Sequence, residues 1–234
     1  MKISIITLFP EMFQGPFDYS IIKRAIDKKL IEIEFINLRD SGLGQHQSVD
    51  DTPYGGGMGM ILRVDVLEKA IESSKDKSLN KNQQKVVLLS AHGKKFEQKT
   101  AERYSKLKNL ILICGHYEGF DERVKGFIDE EVSIGDFVLT GGEIPAMLIT
   151  DAVSRLVKGV IKEDSATFES FSPYLEYPQY TKPQKHKGVS VPEILLSGNH
   201  RKIEKWRKEQ TLKITAKLRP DLLEKKLKRG RTIA

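Results

Sequence analysis

The sequence holds a single cysteine in 234 residues, Cys114, which excludes an internal disulfide framework and fits a reducing compartment. Long hydrophobic runs are missing too. No stretch approaches the roughly 20 apolar residues of a membrane-spanning helix. The N-terminal run Ile3–Phe9 is too short for a signal peptide and closes on Pro10-Glu11 without a small-residue cleavage site. A cytoplasmic protein with no membrane partner is the expectation. The five histidines and the cysteine show no paired ligand spacing, so no structural zinc site is expected. The tract DDTPYGGGMGM (50–60) is glycine-rich but lacks the Gly-Lys-Ser/Thr of a phosphate-binding loop, and no G-x-G-x-x-G follows a strand-like run. No spacing argues for a Ser-His-Asp arrangement. Cys114, inside the apolar run LILIC, reads as an inert core thiol.

What is present describes a globular protein: 39% hydrophobic and 30% charged residues allow a buried core under a well-solvated surface. Charge is unevenly distributed. From Lys182 to Ala234 there are 16 lysines and arginines against 5 acidic residues, a net of +11, which leaves −4 for residues 1–181 out of the +7 total. A basic region of this density suits a polyanion such as RNA or DNA, although lysine-rich helical surfaces are also simply solvated.

Short apolar runs recur at Ile3–Phe9, Ile31–Leu38, Val86–Ser90, Leu110–Gly115 and Phe137–Thr140, and each is read as a strand. Between them, YSIIKRAIDKKL, RVDVLEKAIESSK and KKFEQKTAERYSKLK place apolar residues every three or four positions, as helices do. The alternation predicts an α/β fold with a parallel sheet of about five strands covered on both faces. Residues 158–188 carry three prolines and no sustained period, and read as a linker. After Pro192 a helical stripe of Ile203, Trp206, Gln210, Ile214 and Leu218 returns and is stopped by Pro220. Trp206 is read as the core anchor of a small helical domain.

Ligands of open α/β sheets bind beyond the carboxyl ends of the strands. Three glycine-bearing segments occupy such places: LLSAHG (88–93), ICGHYEG (113–119) and SIGDFVLTGGEIP (133–145). Their glycines permit close backbone approach to a ligand, though any one of them is as well explained as the end of a strand.

Six segments in order, ITLFPEMF, DDTPYGGGMGM, CGHYEGFDERV, IDEEVSIGDFVLTGGEIPAM, EYPQYTKP and IEKWRKEQTLKITAKLRPDLL, resemble the bacterial tRNA (guanine-37-N1)-methyltransferase family of the SPOUT superfamily. The resemblance runs from Ile3 to about Leu223. It implies an α/β parallel sheet with a deep trefoil knot plus a small all-helical C-terminal domain: a knotted cofactor-binding domain at 1–160, a flexible linker at 161–177 and a basic tRNA-binding domain at 178–234. It implies methyl transfer from S-adenosyl-L-methionine to N1 of guanosine 37 of tRNA. The partners it implies are tRNA, not DNA, and a second subunit, in a homodimer that shares each active site. By position, Leu88, Leu89, Ser90, Ala91, Gly115, Tyr117, Glu118, Gly119, Ser133, Ile134, Gly135, Asp136, Phe137, Val138, Leu139, Gly141, Gly142 and Pro145 would form the cofactor pocket. Glu169, where the family has an aspartate before Ser-Phe, would be the base, with Asp164 the nearest substitute. Arg155 would stabilise the guanine oxygen, and Arg39 and Asp50 would lie near the target base. Magnesium dependence is also implied, with Glu118 a suggested contact. Leu88, Ala91, His92 and Phe137 stand where the family often has other residues. Two other readings stay open at this point, a non-catalytic RNA-binding α/β protein and a knotted methyltransferase acting on another RNA position.

Overall fold

A computed structural model describes residues 1–162 and 169–224. The chain divides into two compact units, Met1–Ile161 and Lys162–Ala234. In the first unit the elements run β1 (Lys2–Thr7), α1 (Ser20–Asp27), β2 (Glu32–Asn37), β3 (Asp50–Asp51), β4 (Ile61–Leu62), α2 (Val64–Ser74), β5 (Gln84–Lys95), α3 (Gln98–Tyr104), β6 (Asn109–Ile113), β7 (Glu130–Ser133) and α4 (Glu143–Ser154). Five strands form one sheet in the order β2-β1-β6-β5-β7, and every pairing is parallel.

The near-continuous apolar strands follow from burial on both faces. All five residues of β6 are buried. Leu110 and Leu112 join Ile3, Ile5, Val87 and Leu89 in a core closed by Ile22 and Ala25 of α1, Ala101 and Tyr104 of α3, and Ile149 and Val153 of α4. Ile111 and Ile113 face the other way and pack with Ile6, Val86 and Leu88 under Val66, Leu67, Ala70 and Ile71 of α2. Each such aliphatic side chain contributes about 1.5–3 kcal/mol of burial.

The strand expected at Phe137–Thr140 does not exist. The fifth strand lies upstream at Glu130–Ser133, and the apolar FVLT run is an irregular loop whose Val138 is 92% exposed. An apolar run makes a strand only where a neighbour supplies the ladder, and β5 supplies it to Glu130–Ser133. Similarly, LLSAHG is not a separate loop but the middle of β5. Its pairing with β7 shifts between Leu89 and Lys94, a bulge-like irregularity that re-aims the strand end.

Cys114 follows β6 at 3% exposure. Burial, with the negative charge of Glu143 adding to it, pushes its thiol well above the usual cysteine range. We expect the native protein to resist a disulfide-exchange reagent at pH 8 and to react stoichiometrically once unfolded in guanidinium. Native-state labelling at the rate of a free thiol would contradict the placement.

The second unit contains a two-stranded hairpin, β8 (Lys185–His186) with β9 (Val189–Ser190), the short α5 (Glu193–Leu196) and the long α6 (His200–Leu218). Asn199 caps α6 by accepting from the Lys202 N–H at 3.1 Å, and the helix ends just before Pro220. Ile203 and Thr215 are its buried residues, and Trp206 is half-buried. Leu218, read as part of the apolar stripe, is exposed. The segment preceding the hairpin lies against α6: the Leu175 N–H donates to Thr215 Oγ1 at 3.0 Å, and the guanidinium of Arg207 sits 4.9 Å from the Tyr177 ring centroid. No helix among the described residues is long and apolar enough to cross a membrane.

Candidate functional site

A cavity of about 420 Å³ opens where the carboxyl ends of β5, β6 and β7 meet the first turn of α4. Seventeen of the eighteen cofactor-site residues named from sequence line it: Leu88–Ala91, Gly115, Tyr117–Gly119, Ser133–Gly135, Phe137–Leu139, Gly141, Gly142 and Pro145. Asp136 does not. Its side chain is 98% exposed and reaches only toward Lys95, at 4.0 Å.

The walls are backbone brought unusually close. Gly142 donates its N–H to the Gly115 carbonyl at 2.8 Å, and a Cβ at Gly142 would lie 2.6 Å from Cys114 Cα and Gly115 N. Only glycine allows the β7–α4 loop to cross the β6 loop at that distance. Gly135 has φ +155° and is held in a small turn by Ser133, whose Oγ accepts from the Gly135 N–H at 3.2 Å and donates to its carbonyl at 3.0 Å. Tyr117 takes a left-handed φ of 58° in the β6 loop, a strained geometry for a side-chain-bearing residue that persists because its surroundings fix it. Pro145 sits in the first turn of α4, where its missing N–H costs nothing.

Sequence reasoning passed over several lining residues, among them Phe120 and Thr140. Contiguity could have found Thr140, which sits within a segment named, and His116 falls inside the named loop 115–119 without having been singled out. The floor beside His116 is polar. Glu143, 1% exposed, accepts from Thr7 Oγ1 at 2.7 Å and reaches within 3.3 Å of His116 Nε2. On the outer rim Lys125 lies 3.9 Å from Glu131 and 2.5 Å from Glu122.

Volume and lining fit a nucleoside-sized ligand held largely by main-chain groups: pockets of 300–1,000 Å³ are usual for such molecules, and the glycine crossings leave amides and carbonyls free of shielding side chains. A second cavity, of about 490 Å³, lies beside it, lined by Asp51, Tyr54, Arg63, Asp65, Asp121 and Arg123 among others. Its charges are already matched, Arg63 to Asp51 and Asp65 at 2.9 Å and Arg123 to Asp121 at 2.6 Å. The glycine-walled cavity is therefore the candidate small-molecule site. Among the described residues no group of three His, Cys, Asp or Glu side chains is arranged to hold a metal ion.

The remaining site residues lie elsewhere. Arg155 ends α4, half-buried, its N–H donating to the Asp151 carbonyl at 3.2 Å. Arg39 occupies a helical turn capped by Asn37, whose side chain accepts from the Arg39 N–H at 3.0 Å. Asp50 pairs across the β3–β4 ladder with Leu62. Glu169 belongs to the second unit, half-buried, its carbonyl accepting from the Ser172 N–H at 3.3 Å. Asp164 lies outside the described residues.

Residues 1–225 match the family described as tRNA (Guanine-1)-methyltransferase TrmD. Proteins named tRNA (guanine-N(1)-)-methyltransferase are similar over nearly the whole chain. The one from Dictyoglomus turgidum is 56% identical over 227 residues, 96% of this chain and 91% of that protein. Its counterpart from Carboxydothermus hydrogenoformans is 54% identical over 96% of this chain and 88% of its own length. That of Dehalococcoides mccartyi is 51% identical over 96% and 91%. A match that takes in the parallel sheet, all three strand-end walls of the cavity and the long basic helix makes this chain a member of the tRNA (guanine-1)-methyltransferase family.

Proposed function

We propose that the protein methylates N1 of guanosine 37 in tRNA, with S-adenosyl-L-methionine as donor held in the glycine-walled cavity. The observation that carries this reading is the family match over residues 1–225, which takes in every residue that lines the cavity. When bound, the cofactor supplies a methyl group made electrophilic by its sulfonium sulfur.

Guanine N1 is a poor nucleophile while it keeps its proton. Glu169 would be the base that accepts this proton, freeing N1 to take the methyl group that the cofactor would supply. Charge then spreads to O6 of guanine, and Arg155 offsets it. Arg39 and Asp50 border the target base, which must leave its stack to be reached. The backbone walls fix the donor and keep water from it, so alignment supplies much of the rate.

The reading extends to a trefoil knot at the crossing of Gly142 over Cys114–Gly115, and to a homodimer in which Glu169 serves the cavity of the partner subunit. The domain plan is 1–160 for cofactor, 161–177 as an interdomain linker, and 178–234 for the tRNA backbone, whose phosphates the +11 region neutralises. Magnesium near Glu118 and a cytoplasmic location belong to the same proposal. Calorimetry tests its first step: S-adenosyl-L-methionine is expected to bind the protein alone with a micromolar constant, on the order of −8 kcal/mol. No heat of binding up to millimolar cofactor would remove the donor from the account.

A further inference from the structure

Beneath the cavity floor three segments distant in sequence meet at one carboxylate. Glu143 stands at the first position of α4, buried, with its Oε1 held by the hydroxyl of Thr7 at the end of β1. That hydroxyl in turn accepts from the Phe9 N–H at 3.0 Å. The other oxygen, Oε2, has no well-aligned hydrogen-bond donor. His116 Nε2, on the loop after β6, lies 3.3 Å from it. The histidine ring lines the cavity and is steadied by edge contacts with Phe9, 4.8 Å away by centroid, and Tyr117, 6.0 Å away.

The position of this pair is independently marked by Gly141. A Cβ there would lie 2.5 Å from Glu143 Oε2 and 2.6 Å from His116 Nε2, so the carboxylate and the imidazole occupy the volume a side chain would need. The loop is thus laid directly over the pair. A buried carboxylate oxygen 3.3 Å from a ring nitrogen favours a proton over a lone pair on that nitrogen, which leaves Nδ1 as the acceptor.

We propose that Glu143 is a positioning residue: it holds His116 with Nε2–H toward the buried carboxylate, so that Nδ1 is the ring nitrogen meeting the polar groups of the bound nucleoside. The inference rests on the cofactor reading above. Glu143 touches no ligand itself and acts through His116, while Thr7 holds the far oxygen so that the carboxylate cannot rotate away. The device ties β1, the β6 loop and α4 into one rigid floor.

The test is a double-mutant cycle read by equilibrium binding of S-adenosyl-L-methionine, with kcat and KM for cofactor and tRNA determined separately. Glu143→Gln keeps shape and removes charge. It is expected to weaken cofactor binding about tenfold, by removing the buried charge that orients the ring, with KM for cofactor rising in step and kcat changing less than about threefold. The KM for tRNA should not move. His116→Ala should cost a similar factor, and adding Glu143→Gln to it should cost nothing more. Nitrogen-15 spectra of the histidine rings should show His116 Nε2 protonated in the wild type and lose that preference in Glu143→Gln. Unchanged cofactor affinity in Glu143→Gln, additive losses in the double variant, or an unprotonated Nε2 in the wild type would each overturn the proposal. Should Glu143→Gln fail to fold, the ring spectrum of the wild type and the affinity of His116→Ala decide alone. Failure of the cofactor reading looks different, because the wild type itself would then not bind.

Discussion

Gly142→Ala is expected to weaken cofactor binding by about a hundredfold or more and to cost about 3 kcal/mol of stability. The new methyl would sit 2.6 Å from Cys114 Cα and Gly115 N. Both are backbone atoms at the end of a fully buried strand, so neither can yield as a flexible side chain would. The residue has φ −85°, an ordinary value, so the penalty is one of space and not of conformation. Relief requires the β7–α4 loop to lift from the β6 loop, which breaks the Gly142 N–H bond to the Gly115 carbonyl and opens the cavity wall. A displacement of that size should weaken binding by about a hundredfold or more. Gly126→Ala is the control: nothing lies within 4 Å of its Cβ position, and it should change stability by less than about 0.5 kcal/mol. Urea unfolding and cofactor titration of the two variants settle the matter. Near-wild-type affinity in Gly142→Ala would mean that the crossing is not part of the ligand wall.

Glu169→Gln is expected to reduce the rate of methyl transfer by about 10²–10⁴-fold, the contribution of a positioned base, while cofactor affinity stays within about threefold. The substitution removes a proton acceptor and almost no volume. Glu169→Asp, which restores the family residue at this position, should keep most of the activity, since the carboxylate survives one methylene shorter. Single-turnover rates with saturating tRNA distinguish the chemical step from binding. If Glu169→Gln turns over like the wild type, proton transfer belongs to another group, of which Asp164 is the nearest in sequence.

Much of the architecture was legible because burial on both faces leaves a strong mark. The runs that became β1, β5 and β6 are apolar without regular alternation, whereas β2, at the sheet edge, alternates as EIEFIN, and all four pair in parallel. The fifth strand was not legible. Its sequence, EEVS, has one aliphatic residue and two glutamates, and Glu130 is accommodated by Arg103 and by the Tyr104 hydroxyl at 2.9 Å, partners that no local pattern reveals. The neighbouring FVLT run carried the stronger apolar signal and turned out to be the exposed lip of the cavity. The strands β3, β4, β8 and β9 span two residues each, too short for any periodicity.

The site was legible in a different way. Glycines mark where a side chain cannot stand, but not what stands in its place. Gly141 gave no hint of the Glu143–His116 pair beneath it, because a glutamate after two glycines at a helix start reads as a favourable first-turn acid on the surface. Its burial is set by Thr7, 136 residues away.

The central claim is met most directly by incubating the protein with unmodified tRNA transcripts and methyl-labelled S-adenosyl-L-methionine, then digesting the RNA and mapping the labelled nucleoside. The account predicts a single labelled product, 1-methylguanosine at position 37, lost when that guanosine is replaced. Label on any other atom or position, or none with active cofactor binding, would contradict it.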